Sequence, residues 1–417
     1  LPQSRTVSIP FLDLLFTSAS TTCITGLSVV PISSFTTLGK VILLCLIQLG
    51  GLGLMTLSFF FISLFLNMGM ATQLMAGELL EFKWWSRIKS FLFLIIGITF
   101  VTELIGAALL YFSFRQNLPI DKAIFHAIFY SVSAFCNAGI SLDTGTNILK
   151  TTPLVFSTLS FLIFAGGIGF LVWFELGKKI KTTFQTLRGK KTFFRFSLHT
   201  KIVIITSFIL IIVGALGTWF LEAHNTLQEA SAAKGFFVSL FNSISIRNAG
   251  FQIFNLEQVS LATLLLFMFL MYIGASPGST GSGIKTTTLA LFVATMVAFI
   301  RNREEVELFG RTVPQDQIYK AIAIVALSAT WILGLTFLLL ATETTFSFVQ
   351  ILFEAISAFS CCGLSIGITP YFSSFAKILL IITMIVGRIG SLTLILALRK
   401  KRKTHKYHYP EERVTIG

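Results

Sequence analysis

Charge is scarce in this chain. Of 417 residues only 12% are charged, with 18 Asp and Glu against 32 Lys and Arg. An ordinary soluble domain carries about 25%, so this composition excludes one and points to an integral membrane protein. Histidine is also sparse. The five (His126, His199, His224, His405 and His408) never stand with acids inside one apolar stretch, which argues against a membrane-embedded enzyme. Cysteine is present five times, an odd count confined to apolar stretches, so no disulfide framework is expected. The alternation of apolar and polar residues that a transmembrane barrel wall requires is missing too.

What is there is hydrophobic length. Charge-free windows run over 41–77, 151–174, 202–221, 258–284 and 321–342. Two more nearly qualify: 88–114 holds Glu103 within it and Lys89 at its edge, and 378–398 holds Arg388. A bilayer-crossing helix needs roughly 20 such residues, which gives seven candidate spans. The net charge of +14 does not indicate nucleic acid, because the basic residues sit between spans. When loops are assigned alternately, most of the 32 Lys and Arg fall on one side, in the stretches around 83–89, 178–201, 301–320 and 399–413. By the positive-inside rule that side is cytoplasmic.

Four short segments repeat. They run from Phe16 to Gly26, Phe129 to Gly139, Leu240 to Gly250 and Phe353 to Gly363, and their glycines stand 113, 111 and 113 positions apart. Each pairs a bulky residue with a glycine ten positions on, small hydroxyl or amide residues between. Four matches at near-constant spacing imply fourfold internal duplication. An apolar stretch too short to cross the bilayer precedes each loop: 11–22, 123–135, 235–246 and 344–359. Such stretches read as re-entrant half-helices. The expected fold is therefore all-α and membrane-integral, four units of span, half-helix, loop and span around one pore. The unit boundaries are 1–87, 88–198, 199–317 and 318–398, followed by a basic cytoplasmic tail over 399–417. Repeat 1 is expected to lack its first span, which reconciles seven windows with eight spans.

Four loops converging on an axis can offer main-chain carbonyls in place of a cation's hydration shell. Glycine supplies backbone angles closed to other residues, and the half-helix C-termini add partial negative charge. The candidate ion-binding filter comprises Cys23, Ile24, Thr25 and Gly26; Cys136, Asn137, Ala138 and Gly139; Asn248, Ala249 and Gly250; and Ser360, Cys361, Cys362 and Gly363. The thiols Cys23, Cys136, Cys361 and Cys362 do not occupy equivalent positions throughout the repeats, and repeat 3 has none, so a soft-metal site is disfavoured. Between 274 and 285 lie Gly274, Ser276, Pro277, Gly278, Gly281, Gly283 and Lys285, a composition that cannot hold a regular helix. It breaks the second span of repeat 3 inside the membrane and is expected to gate the pore. A nucleotide phosphate loop is excluded because Ile284 separates Gly283 from Lys285 and both flanks are membrane helix. Arg388, in mid-span, is a functional candidate by its cost alone: either a barrier to cations below the filter or a structural partner of Glu103. Glu103 is expected to brace helix packing, and Arg247 to pair with backbone carbonyls or a neighbouring acid.

The chain resembles the Trk/Ktr/HKT superfamily of potassium transporters. The resemblance is carried by Thr25-Gly26-Leu27 and by segments 134–139, 246–251, 358–365, 276–289 and 387–394, the last two being specific to that superfamily. It implies inward K+ movement by channel or coupled symport, a homodimer with one pore per protomer, a cytosolic ring of nucleotide-binding regulatory subunits, and the broken helix as gate. The basic segments 177–201 and 301–320 would face that regulator in a bacterial inner membrane. Retention of Gly26 favours K+ over Na+, whereas Cys361-Cys362 before Gly363 depart from the usual fourth filter.

Overall fold

The computed structural model describes residues 2–65, 88–142, 153–188, 194–228, 231–253 and 255–390. The expected tail at 399–417 and the ends of the windows at 66–77 and 391–398 lie outside the described residues.

The half-helices form where expected. They are α1 (Phe11–Thr22), α4 (Ile120–Phe135), α8 (Ala232–Ile246) and α12 (Phe348–Ser360). Around them stand α2 (Thr37–Phe65), α3 (Ile88–Phe114), α5 (Pro153–Gly167), α6 (Phe170–Leu187), α7 (Leu198–Glu222), α9 (Leu261–Tyr272), α10 (Thr286–Ile300), α11 (Gln315–Thr342) and α13 (Ser374–Ile389). The sequence places serines at several helix starts. Ser197, Ser231, Ser260, Ser347 and Ser373 each accept a backbone N–H from the first turn with the side-chain oxygen. Ser347 and Gln350 complete a reciprocal capping box. The half-helices of repeats 1 and 2 instead follow prolines, Pro10 and Pro119.

Spans and half-helices differ in burial. The first helices of repeats 2, 3 and 4 (α3, α7 and α11) are long and apolar enough to cross a membrane. They expose large apolar side chains such as Phe93, Phe100, Leu104, Phe208, Phe220, Leu333 and Phe337. In the half-helices the C-terminal turns vanish from the surface: Ser131 to Phe135 and Phe353 to Ser360 are buried. Long helices thus form a lipid-facing wall around four short helices that point inward.

Carboxylates staple the wall at one end. Glu222, closing α7, accepts from Ser260 N at 3.0 Å and Thr263 Oγ1 at 2.7 Å at the start of α9. Glu343, after α11, accepts from Ser373 N at 3.0 Å before α13. Repeats 3 and 4 thereby tie their two spans together in the same way.

One span departs from expectation. The window 151–174 reads as a straight crossing, but α5 and α6 meet at an angle of 99°. The bend falls at Gly166-Gly167-Ile168-Gly169, where Gly169 has φ +96°. Hydropathy does not register such a corner, because Ile168, Phe170 and Val172 remain buried through it.

Candidate functional site

Each half-helix ends four residues before its repeat's glycine, or three in repeat 4, and the chain turns there. Ile24, Asn137 and Cys361 adopt φ of 56°, 60° and 51°, and Gly26, Gly139, Gly250 and Gly363 adopt 88°, 64°, 67° and 85°. Left-handed angles outside glycine are uncommon and costly for a β-branched residue such as Ile24. Three of the four turns close with one register: Thr25 N donates to Ser20 O, Ala138 N to Ser133 O, and Cys362 N to Ser357 O, at 2.8, 2.8 and 3.1 Å. Repeat 3 closes differently, with Ala249 N on Ser245 O, and Asn248 has no positive φ.

The glycines form a closed ring. A Cβ on Gly26 would strike the carbonyl oxygen of Ala138. One on Gly139 would strike that of Ala249, one on Gly250 that of Cys362, and one on Gly363 that of Thr25. Each repeat's glycine therefore lies against the residue before the next repeat's glycine, and the fourth returns to the first. Above the ring opens a cavity of about 550 Å³ whose lining includes all four glycines.

Side chains hold the rising strands. Ser133 Oγ donates to Ile140 O and Ser245 Oγ to Phe251 O, both at 2.9 Å. In repeat 4 the buried Glu354 carboxylate accepts from Ser365 Oγ, from Ile366 N at 3.1 Å and from Thr369 Oγ1 at 2.9 Å. Glu103 accepts from Gln48 Nε2 at 3.3 Å and takes a long contact from Cys136 Sγ. It braces α2, α3 and the end of α4 and does not meet Arg388. Arg247 donates Nη2 to Gly274 O at 3.2 Å, a backbone carbonyl as expected.

Beneath the ring, the chain between α9 and α10 folds into a compact loop. Ala275 N bonds Ser282 O, Ser279 Oγ bonds Ser276 O at 2.6 Å, and Lys285 Nζ returns to Gly281 O at 2.8 Å. Gly278 and Gly283 carry φ of 71° and 75°. The loop is fastened on two sides. On one, Ser276 N and Thr280 N donate to Gly167 O and Gly166 O, while Phe170 N donates to Gly278 O at 2.8 Å. Pro277 O sits where a Cβ on Gly169 would go. On the other, Arg388 Nη1 donates to Thr280 O at 2.6 Å and to Ser282 Oγ at 3.1 Å, and its Nη2 donates to Gly50 O. Above, Asn137 Nδ2 donates to Thr280 Oγ1 at 2.7 Å, and that hydroxyl donates to Phe135 O.

The structure thus joins residues the sequence reading had kept apart, and adds Glu354, Thr280, Gly50 and the corner at Gly166–Gly169. A second fourfold signal would have found Gly50 and the corner. Gly50, Gly166, Gly274 and Gly387 each stand 24 to 27 positions after a glycine of the ring. At three of them the missing side chain makes room for the last carbonyls of a half-helix, those of Thr22, Phe135 and Phe359.

A family model described as TrkH, cation transport protein, matches residues 2–408. The chain belongs to this family. Its members transport cations, and the chain is accordingly a transport protein and not an enzyme. It is 35% identical to Ktr system potassium uptake protein B of Vibrio alginolyticus, over 100% of this chain and 90% of that protein. It is 36% identical to Ktr system potassium uptake protein D of Bacillus subtilis, over 98% and 90%. The potassium/sodium uptake protein NtpJ of Enterococcus hirae is 32% identical over 98% and 90%. The crystal structure of the potassium transporter TrkH from Vibrio parahaemolyticus superposes with a TM-score of 0.71 at 18% identity, covering 94% of this chain and 79% of that one. That likeness shows the shared fold.

Proposed function

We propose that this TrkH-family chain is the pore-forming subunit of a K+ uptake system, conducting ions through a filter of backbone carbonyls gated by the intramembrane loop. The supporting observation is the closed ring, in which the residues before four glycines turn their carbonyls toward their neighbours around one centre. Such oxygens replace hydration water, and four half-helix C-termini direct partial negative charge at the same place. The filter residues are those around Gly26, Gly139, Gly250 and Gly363. Loop 274–285 is the gate. Arg388, strapping that loop from below, is both latch and positive barrier on the conduction path.

The vestibule faces outside, and the basic loops face the cytoplasm of a bacterial inner membrane. The two Ktr relatives are named as parts of a system, which supports our reading of the chain as a homodimer carrying a cytosolic ring of nucleotide-binding regulators. Flux of rubidium-86 and sodium-22 into proteoliposomes of the purified protein tests the reading. Rubidium uptake that unlabelled K+ competes away, and Na+ does not, supports it; no rubidium flux even with the loop deleted refutes it. A second reading, Na+ conduction or coupling, is favoured by the potassium/sodium relative and predicts matched sodium-22 entry.

A further inference from the structure

Helix α6 carries an apolar row of which only the first half packs against a neighbouring helix, and Arg188 lies over the Phe184 ring at its far end. Its first half, Trp173 and Leu176, packs with Val172 against Val203 and Ile204 of α7. The same row continues beyond α7 as Ile180, Phe184 and Leu187, which are 65%, 60% and 78% exposed. These positions recur at the spacing of one helix face. Lys179, Lys181 and Arg188 flank the row and are exposed. Lys178 and Lys179 rest their ammonium groups over the rings of Phe174 and Phe196 at 4.1 and 4.6 Å, which positions them without neutralising them.

The corner sets the depth of this helix. α5 has 15 residues, about 22 Å of length at the usual rise. The hydrocarbon core is roughly 30 Å thick. Counted from the outer boundary, α5 therefore ends about 8 Å short of the inner one, and the 99° turn sends α6 along the membrane plane there. Amphipathic helices with a basic polar side lie about 5–10 Å into that boundary.

We propose that the C-terminal half of α6 is a docking surface for anionic phospholipid, with Ile180, Phe184 and Leu187 in the acyl boundary and its cations on the headgroups. The orientation rests on the topology proposed above. The surface bears on transport because α6 begins at the gate loop: Phe170 N holds Gly278 O, and the preceding glycines hold Ser276 N and Thr280 N. Whatever fixes α6 in the membrane fixes one side of the loop.

Single spin labels test the surface. Cys45 is the exposed thiol among the five, the others being buried, so Cys45→Ser provides the background. Cysteines replace Ile180, Phe184, Leu187, Lys179 and Lys181 one at a time in the full chain, reconstituted in vesicles containing phosphatidylglycerol. Labels at 180, 184 and 187 are expected to be open to oxygen and closed to a water-soluble nickel chelate, and labels at 179 and 181 the reverse. Nickel access at all five sites, or shielding of the first three from both reagents by a protein partner, overturns the proposal. This readout needs no transport, so it fails or stands apart from the K+ reading. Rubidium flux then tests the link. The parent protein's flux is expected to change with the phosphatidylglycerol fraction, and Phe184→Glu to lose that dependence while keeping flux in neutral lipid. Identical dependence in both proteins severs the surface from the gate.

Discussion

At Gly26 two constraints coincide: a φ of 88° and a neighbouring carbonyl, that of Ala138, where a side chain would begin. A left-handed non-glycine residue costs about 1–2 kcal/mol, and relief of the clash must move an oxygen of the ring. Gly26→Ala is therefore expected to cut rubidium flux by more than about tenfold, a barrier change of over 1.4 kcal/mol, and to erode preference for K+ over Na+. Gly97→Ala is the control, since a Cβ there meets nothing within 4 Å; its flux should match the parent. Glu354 makes a separate case. Its carboxylate orders three donors of the fourth strand, and leaving buried donors unpaired costs about 1–3 kcal/mol each. Glu354→Ala is expected to lower the thermal unfolding midpoint in detergent and to broaden ion selectivity. Glu354→Gln, which keeps one acceptor oxygen, should fall between it and the parent.

The broken element is held, not loose, and its fastenings differ in kind. Arg388 contributes three charge-assisted bonds, stronger than neutral ones; Thr280 contributes a neutral pair to Asn137 and Phe135. Arg388→Ala should raise rubidium flux several-fold, and Thr280→Val should raise it less. If both variants fold and leave flux at the parent level, loop 274–285 is not the gate. Much of this element could be read in advance. A run holding Gly274, Pro277, Gly278, Gly281 and Gly283 cannot stay helical, and α1 spans the very residues expected of the first half-helix. The corner between α5 and α6 was not legible. Glycine-rich apolar sequence is compatible with a straight membrane helix, and only the docking of Gly278 and Pro277 against Gly169 and Phe170 makes the bend. Arg388 was legible as costly but not as a strap, because two of its three partners are backbone oxygens of other repeats, which carry no side-chain signature.

At the scale of the molecule the ring constrains electrostatics as well as shape. Three cations, Arg247, Lys285 and Arg388, bond carbonyls of loop 274–285, and the proposed filter offers only dipoles. The vestibule is asymmetric by comparison. Among the described residues lining its cavity, Glu257 alone is charged, and it is exposed beside Gly367, where a Cβ would come within 3.3 Å of its carboxylate. Among the described residues only repeat 3 contributes such an acid to the lining. It can raise cation concentration at the mouth. At about 10 Å in water a unit charge attracts a monovalent cation by roughly 0.4 kcal/mol, about a twofold local enrichment. Glu257→Gln should therefore raise the half-saturating K+ concentration about twofold in low-salt buffer, where the Debye length is about 30 Å, and have no effect near 1 M impermeant salt, where it is about 3 Å. Maximal flux should stay at the parent value, because the filter carbonyls are untouched. A change in maximal flux that persists at high salt would instead give Glu257 a structural part in holding the third strand.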